Sequence, residues 1–411
     1  MEPPPVIDPD VKAVEAADLS VFIRQAFEGV ELAPLIQARL EGLGSGKGDA
    51  ARQLELGLLF QLVGEREQAL AHQAAALNTQ RVYRHPVRGE PSLRVLVLAI
   101  AGDLMANTPL ELMLEGRGVE ITKLYVDEAR PWPPSLPDHD LAFMAVSESD
   151  EARPVLERLT GIEDRWPRPM INRASRALEL ARERLYRRLA DAPGLSIPPT
   201  IAMTREALAA ATAARSLPGD LTGHGLPVIV RPVGSHACKA LERIDEWTAL
   251  EAYLAGAAAE TFYVSPFIDY AGADGLYRKY RIAFFAGTPF LCHMAASSHW
   301  MVHYLNAGMA ESAAKRAEEA EAMASFDSGF ARRHAKGLEA LHQRLQLDYF
   351  AVDCAELPDG SLLIFEADVA MVIHDLDPED LYPYKKPQMR TVFDGFERFL
   401  RAAAGPQTPS R

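Results

Sequence analysis

The chain has 411 residues, 48% of them hydrophobic, enough to bury a large core and, at ordinary domain sizes, to form roughly two or three domains. Its 43 Lys and Arg against 57 Asp and Glu give a net charge of −14, which disfavours a nucleic-acid or anionic-membrane surface as the main partner; any phosphate ligand must find a local cluster of cations. The start is acidic and proline-rich with no leader pattern, no run of about 18 apolar residues follows, and Cys238, Cys292 and Cys354 are too scattered for a disulfide framework or a metal spacing, so a soluble cytoplasmic protein is expected.

In chain order, residues 11 to 85 are rich in Ala, Leu, Glu and Gln with apolar positions at helical period, which predicts a helical domain over 1–88. The continuous apolar strand "LRVLVLAI" (93–100) follows, then the Gly102 turn, a helix across "TPLELMLEGRG" (108–118), and strands "ITKLYV" (121–126) and "DLAFMAV" (140–146). That alternation predicts an α/β lobe with a parallel sheet over 89–172; proline-rich 127–140 reads as a loop, and the absence of G-x-G-x-x-G leaves a dinucleotide role unsupported. From 173 to 400, a helix, a Pro-Pro stop, the strand "LPVIVRP" (226–232), several hairpins and a long charged helix at 310–345 give an α+β pattern, with a flexible tail over 401–411.

Four stretches of the second half carry chemistry. "VIVRPVGSHACKAL" (228–241) is a buried strand delivering Arg231 into a turn with Gly234 and Ser235, where backbone N–H groups can cradle phosphate. In the hairpin "GLYRKYRIAFFAGTPFLCHMA" (275–295), turning near Ala286-Gly287, Lys279 and Arg281 share one face while Arg278 and Tyr280 share the other. Two cations facing one way form a phosphate clamp or a charge-guarded edge strand. "HWMVHY" (299–304) spaces His299 and His303 for a metal if helical, for substrate or proton shuttling, or for packing.

The fourth stretch, "LDYFAVDCAELPDGSLLIFEAD" (347–368), reads as a hairpin turning at Asp359-Gly360. That turn sets Asp353 across from Glu366 with Asp368 on the same face, unless a bulge at Pro358 shifts the register. Three converging carboxylates raise one another's pKa or demand a cation. An all-oxygen cluster suits Mg²⁺ or Mn²⁺ rather than Zn²⁺, and Mg²⁺ held by few carboxylates usually shares phosphates, which points to a nucleotide; unliganded strand-end carboxylates are the alternative. His374 is positioned to orient substrate or to pack, and Lys385 and Lys386 read as a solvated loop or an anionic-substrate contact.

These landmarks, in this order, resemble the ATP-grasp superfamily over roughly 90 to 390, nearest the glutathione-synthetase and ribosomal-protein glutamate-ligase type. "LGLLFQLVGEREQALAHQAAAL" (56–77) has Gly57, Phe60, Gly64, Ala69 and Ala76 at offsets resembling one tetratricopeptide repeat, though a generic helical hairpin has the same spacing; a protein partner or homo-oligomer through this region is the corresponding expectation. The ATP-grasp resemblance implies ATP between two α+β lobes, and ADP-forming joining of a small-molecule or peptide carboxylate to an amine through an acyl phosphate.

The same resemblance implies magnesium on Asp353, Glu366 and Asp368, and Arg231 in place of a phosphate-binding lysine. Arg281, with Lys279 beside it, would meet the transferred phosphoryl group. "FYVSPFID" (262–269), with Val264, Ser265, Phe267, Ile268 and Asp269, resembles the hinge whose backbone reads adenine. Arg278, His299, His303 and His374 remain candidate substrate contacts. The chain departs from the pattern at Asp368, where Asn is usual, at Ala237, Cys238 and Ala240, where glycines are usual, and at Pro266, which lacks an N–H. A non-catalytic nucleotide-binding scaffold and a small-molecule phosphotransferase therefore stand as alternatives to the ligase.

Overall fold

The computed structural model describes residues 5–17, 19–44, 46, 48–85, 87, 89–234 and 240–405. Ser235, Ala237 and Cys238 of the small-residue loop lie outside the described residues, as do positions 406–411 of the expected tail. The last helix, Lys385–Ala404, occupies the first part of that tail.

Near the N-terminus four helices follow one another, Leu19–Phe27, Ala33–Glu41, Asp49–Leu62 and Arg66–Thr79. The last two form the hairpin expected over 56–77. A Cβ on Gly57 would sit 3.1 Å from Ala69 O and 3.2 Å from Gln73 N, so glycine here lets the two helices approach closely. Helix does not fill 11–85 as expected: Val14–Glu15 and Val82–His85 are strands, parallel to each other, that extend the next sheet. The short Val-Tyr-Arg-His segment is β-branched and aromatic, and burying Tyr83 against that sheet outweighs the helical pattern before it.

Six strands make the second layer. Leu93–Ala99 is central, with Val119–Tyr125 and Leu141–Met144 parallel on either side. Val95 to Ala99 are all buried, which explains the unbroken apolar run: a parallel strand covered on both faces has no solvent side to mark with polar residues. The helix expected over 108–118 shortens to Leu110–Leu114, ended by Gly116 and Gly118 at φ 72° and 69°. Within proline-rich 127–140, Ser135–Leu136 pairs with Val6–Ile7.

The second half contains two sheets. Four antiparallel strands, in order Ile201–Thr204, Thr261–Pro266, Val228–Pro232 and Glu242–Ile244, make the smaller. The larger runs Thr288–Ser297, Tyr277–Phe285, Tyr349–Glu356, Leu362–Asp368 and Leu195–Ser196. The fold class is the expected combination of α/β and α+β.

The long helix expected at 310–345 is three, Ala313–Ala324, Phe330–Arg333 and Ala335–Leu345, interrupted where "SFDSG" (325–329) offers side-chain oxygens and a glycine in competition with the helix. Lys385 is not in a solvated loop: it opens the last helix, 3% exposed, its ammonium 3.0 Å from Asp377 and 3.3 Å from Glu319. That last helix carries Val392, Phe393 and Phe396 into a core shared by the six- and five-stranded sheets, with Phe396 against Phe143 and Tyr349. Among the described residues no helix is long and apolar enough to cross a membrane.

Candidate active site

Strand pairing in the five-stranded sheet sets Arg281 opposite Asp353 and Asp353 opposite Glu366, a charged row across three neighbouring strands; Lys279 lies two residues from Arg281 and Asp368 two from Glu366. The register arises in an unexpected way. The turn is the three-residue loop Pro358-Asp359-Gly360, closed by Leu357 and Ser361 with Gly360 at φ 83°, rather than a two-residue turn at Asp359-Gly360. That loop alone would offset the pairing by one, but a bulge at Phe365 between Ile364 and Glu366 restores it. In the neighbouring hairpin, Ala286-Gly287 forms the turn with φ 47° and 82°, and a bulge between Arg281 and Ile282 leaves Cys292 unpaired.

Each of the three carboxylates has a side-chain partner. Asp353, 1% exposed, accepts from Lys279 Nζ at 2.8 Å, Arg281 Nε at 2.8 Å and Arg281 Nη2 at 3.0 Å, so both its oxygens are taken. Burial would raise its pKa, but the two cations outweigh burial and hold the group well below the usual carboxylate range. Arg281 gives Nη1 to Val372 O at 3.2 Å, and its side chain is fixed on both sides. Glu366 takes Arg182 Nη2 at 2.8 Å, and Arg182 also reaches Phe365 O. Although burial opposes it, Arg182 lowers the Glu366 pKa. Asp368 accepts from Ser147 Oγ at 2.7 Å and from Ala370 N; burial pushes its pKa up.

A cavity of about 1090 Å³ opens between the four- and five-stranded sheets, with Ile197, Ile229, Phe267, Trp300 and Val302 among its apolar walls. A second, of about 680 Å³, is lined by Glu148, Asp150, Gly234 and Asp368. Arg182, Leu185, Arg231, Tyr263 and Glu366 line both, so the two are halves of one cleft, apolar at one end and charged at the other. Lys279 and Asp353 line the apolar half's charged margin. Burial raises the Glu148 carboxyl to about 7 against the opposing pull of Arg153, with Asp150 and Asp368 adding to the rise.

The cleft gathers Arg231, Gly234, Ser265, Phe267, Ile268, Lys279, Asp353, Glu366 and Asp368 of the expected residues. Others lie elsewhere. Val264 is buried in the small sheet's core, and exposed Asp269 caps its own turn through Ala271 N. Phe267 N–H is given to Pro227 O at 3.0 Å. Arg278 faces away and pairs with Asp274 and Glu318. His299 and His303 are not on one helix: His299 Nδ1 accepts from Met301 N, and His303 caps the short Tyr304–Asn306 turn. Burial, with Lys279 and Arg281 nearby, lowers the His303 pKa. His374 packs on the Phe27 ring of the first helix, and its Nδ1 accepts from Leu376 N.

A three-carboxylate magnesium site does not fit these residues. Both oxygens of Asp353 already accept from side-chain cations, and among the described residues no group of three or more His, Cys, Asp and Glu side chains is arranged to hold a metal ion. Arg182, Ser147 and Glu148 were not singled out from the sequence. "SESD" (147–150), directly beyond a buried parallel strand, was a usable signal, because ligand sites gather at the carboxyl ends of such strands. Arg182 had none, being one of several arginines in "RERLYRR" (182–188).

No family model matches the sequence, and no curated protein matches it. Solved structures do. The chain is similar to ATP-grasp proteins. A RimK domain protein ATP-grasp from Sphaerobacter thermophilus is 18% identical, covering 73% of this chain and 98% of its own, with a TM-score of 0.41. The D-alanyl-alanine synthetase A of Vibrio cholerae is 10% identical, covering 76% and 98%, at 0.47, and the VanG D-Ala:D-Ser ligase of Enterococcus faecalis is 12% identical, covering 76% and 100%, at 0.46. Superposition this loose leaves the chemistry to the residues described above.

Proposed function

We propose that the chain is an ATP-dependent ligase that joins a carboxylate to an amine. One observation carries the reading: a single cleft between two sheets runs from apolar walls to a charged end, with Arg231 and Arg182 at the junction and Lys279 on the margin of the apolar half. A purine would lie against Ile229, Phe267 and Val302, and its phosphates would extend toward Arg231, Gly234 and Lys279. A substrate carboxylate oxygen would attack the terminal phosphorus, releasing ADP and forming an acyl phosphate. The amine lone pair would then attack the acyl carbon, expelling phosphate and losing a proton. Catalysis in this reading is positioning and charge stabilisation by fixed cations. Glu148, Asp150 and Asp368 in the second cavity favour an acceptor that arrives as an ammonium and gives up a proton before its lone pair attacks.

The test is ADP and phosphate release from ATP in the presence of pooled amino acids and short peptides, with products analysed by mass spectrometry. Equimolar ADP, phosphate and amide, dependent on amine, is the expected result. A stable phosphorylated product with no amine requirement would instead mean a phosphotransferase. Nucleotide binding without turnover would favour a scaffold; in the hinge, Pro266 has no N–H and that of Phe267 is given to Pro227, so fewer backbone donors face an adenine there.

A further inference from the structure

Resting on the nucleotide reading of the cleft, we infer that Lys279 and Arg281 occupy Asp353 in place of a metal ion, so that tethered side-chain cations supply the charge a bound nucleotide's phosphates require. Asp353 sits directly across from Arg281 on the neighbouring strand, with Lys279 two residues along, so the sheet's hydrogen-bond ladder fixes the contact. Three N–H donors at 2.8 to 3.0 Å occupy both carboxylate oxygens, and the Asp353 side chain is 2% exposed. A metal ion would have to displace two covalently anchored cations from a buried carboxylate.

Glu366 repeats the pattern with Arg182 at 2.8 Å, and Asp368 is turned to Ser147. At Asp353 itself two cations meet one carboxylate, while Glu366 has Arg182 as its own partner. The contact with Asp353 uses one of the three donors of the Lys279 ammonium, whose side chain lines the cavity. Lys279 is thus the group placed to meet a phosphate oxygen, and Asp353 the group that holds it there.

Two titrations of the full chain test this. In the first, Mn²⁺ alone is followed by electron paramagnetic resonance with the parent, Asp353→Asn and Lys279→Met. The expected result is equal Mn²⁺ binding by parent and Asp353→Asn, with binding strengthened in Lys279→Met, where Asp353 Oδ2 loses one of its two donors and one competing positive charge is gone. Mn²⁺ binding by the parent that is lost in Asp353→Asn would overturn the inference, whatever the nucleotide does.

In the second, ADP is titrated calorimetrically in EDTA and in excess magnesium. The parent should bind with similar affinity in both, and Lys279→Met should lose about tenfold in EDTA, the scale of one charge-assisted hydrogen bond. Binding that collapses in EDTA and survives Lys279→Met would also overturn it. No ADP binding under either condition would instead reject the nucleotide reading, leaving the metal titration to decide the state of Asp353. Circular dichroism melting of each variant checks folding.

Discussion

Asp353 is the residue on which the electrostatics of the cleft turn. A carboxylate buried this deeply stays ionised only because Arg281 and Lys279 meet it, and removing one partner from such a group typically costs about 3–5 kcal/mol. Glu148 shows the opposite environment. Its pKa is about 7 in the folded chain against an ordinary 4.5, so between those values the folded state keeps a proton that the unfolded state has lost. Stability from this group is therefore present at low pH and declines as pH rises through the interval. Glu148→Gln should be increasingly favoured over the parent from pH 5 to pH 8, by at most about 3 kcal/mol, read from urea unfolding at each pH; parallel profiles would exclude it. At this scale the charged residues of the hairpins were legible, because paired charges on apolar strands are costly enough to announce themselves. Their pairing with one another was not, since nothing in a single strand says which neighbour lies opposite. Arg182 and Lys385 were hidden for a related reason: a buried, paired cation and a solvated one are the same letter.

Among elements, the strands were plain wherever an apolar run was continuous, as in "LRVLVLAI", and the helices less so. The break at 325–329 and the short Leu110–Leu114 helix depend on a few local competitors rather than on period. The bulge at Phe365 was invisible, because "LLIFEAD" is apolar on both faces before the charges and carries no alternation to reveal a slip. Facing elements also meet at glycines. A Cβ on Gly337, in the Ala335–Leu345 helix, would lie 2.8 Å from the backbone oxygen of Gly194, next to the Leu195–Ser196 edge strand. Alanine is intrinsically the better helix residue by about 1 kcal/mol, yet here the obstacle is backbone and cannot swing aside. Gly337→Ala should destabilise the chain by about 1–3 kcal/mol in equilibrium denaturation; a gain in stability would show that the edge strand can move.

Across the whole molecule, the six- and five-stranded sheets share one core through the last helix, so the α/β lobe and the sheet bearing Asp353 are braced together. The first helix reaches the same region: Arg24 bridges Glu115 and Asp375, close beyond the strand that ends at Asp368. The order of landmarks along the chain made this architecture legible, whereas the cleft required two sheets whose facing no local pattern encodes. The measurement that bears most directly on that cleft is the melting temperature of the full chain with increasing ATP, for the parent and for Arg231→Ala. A ligand bound only by the folded state must raise stability by mass action. The expected result is a concentration-dependent rise in the parent that is largely lost in Arg231→Ala; no rise in the parent, or an equal rise in both, would contradict a nucleotide site at this junction.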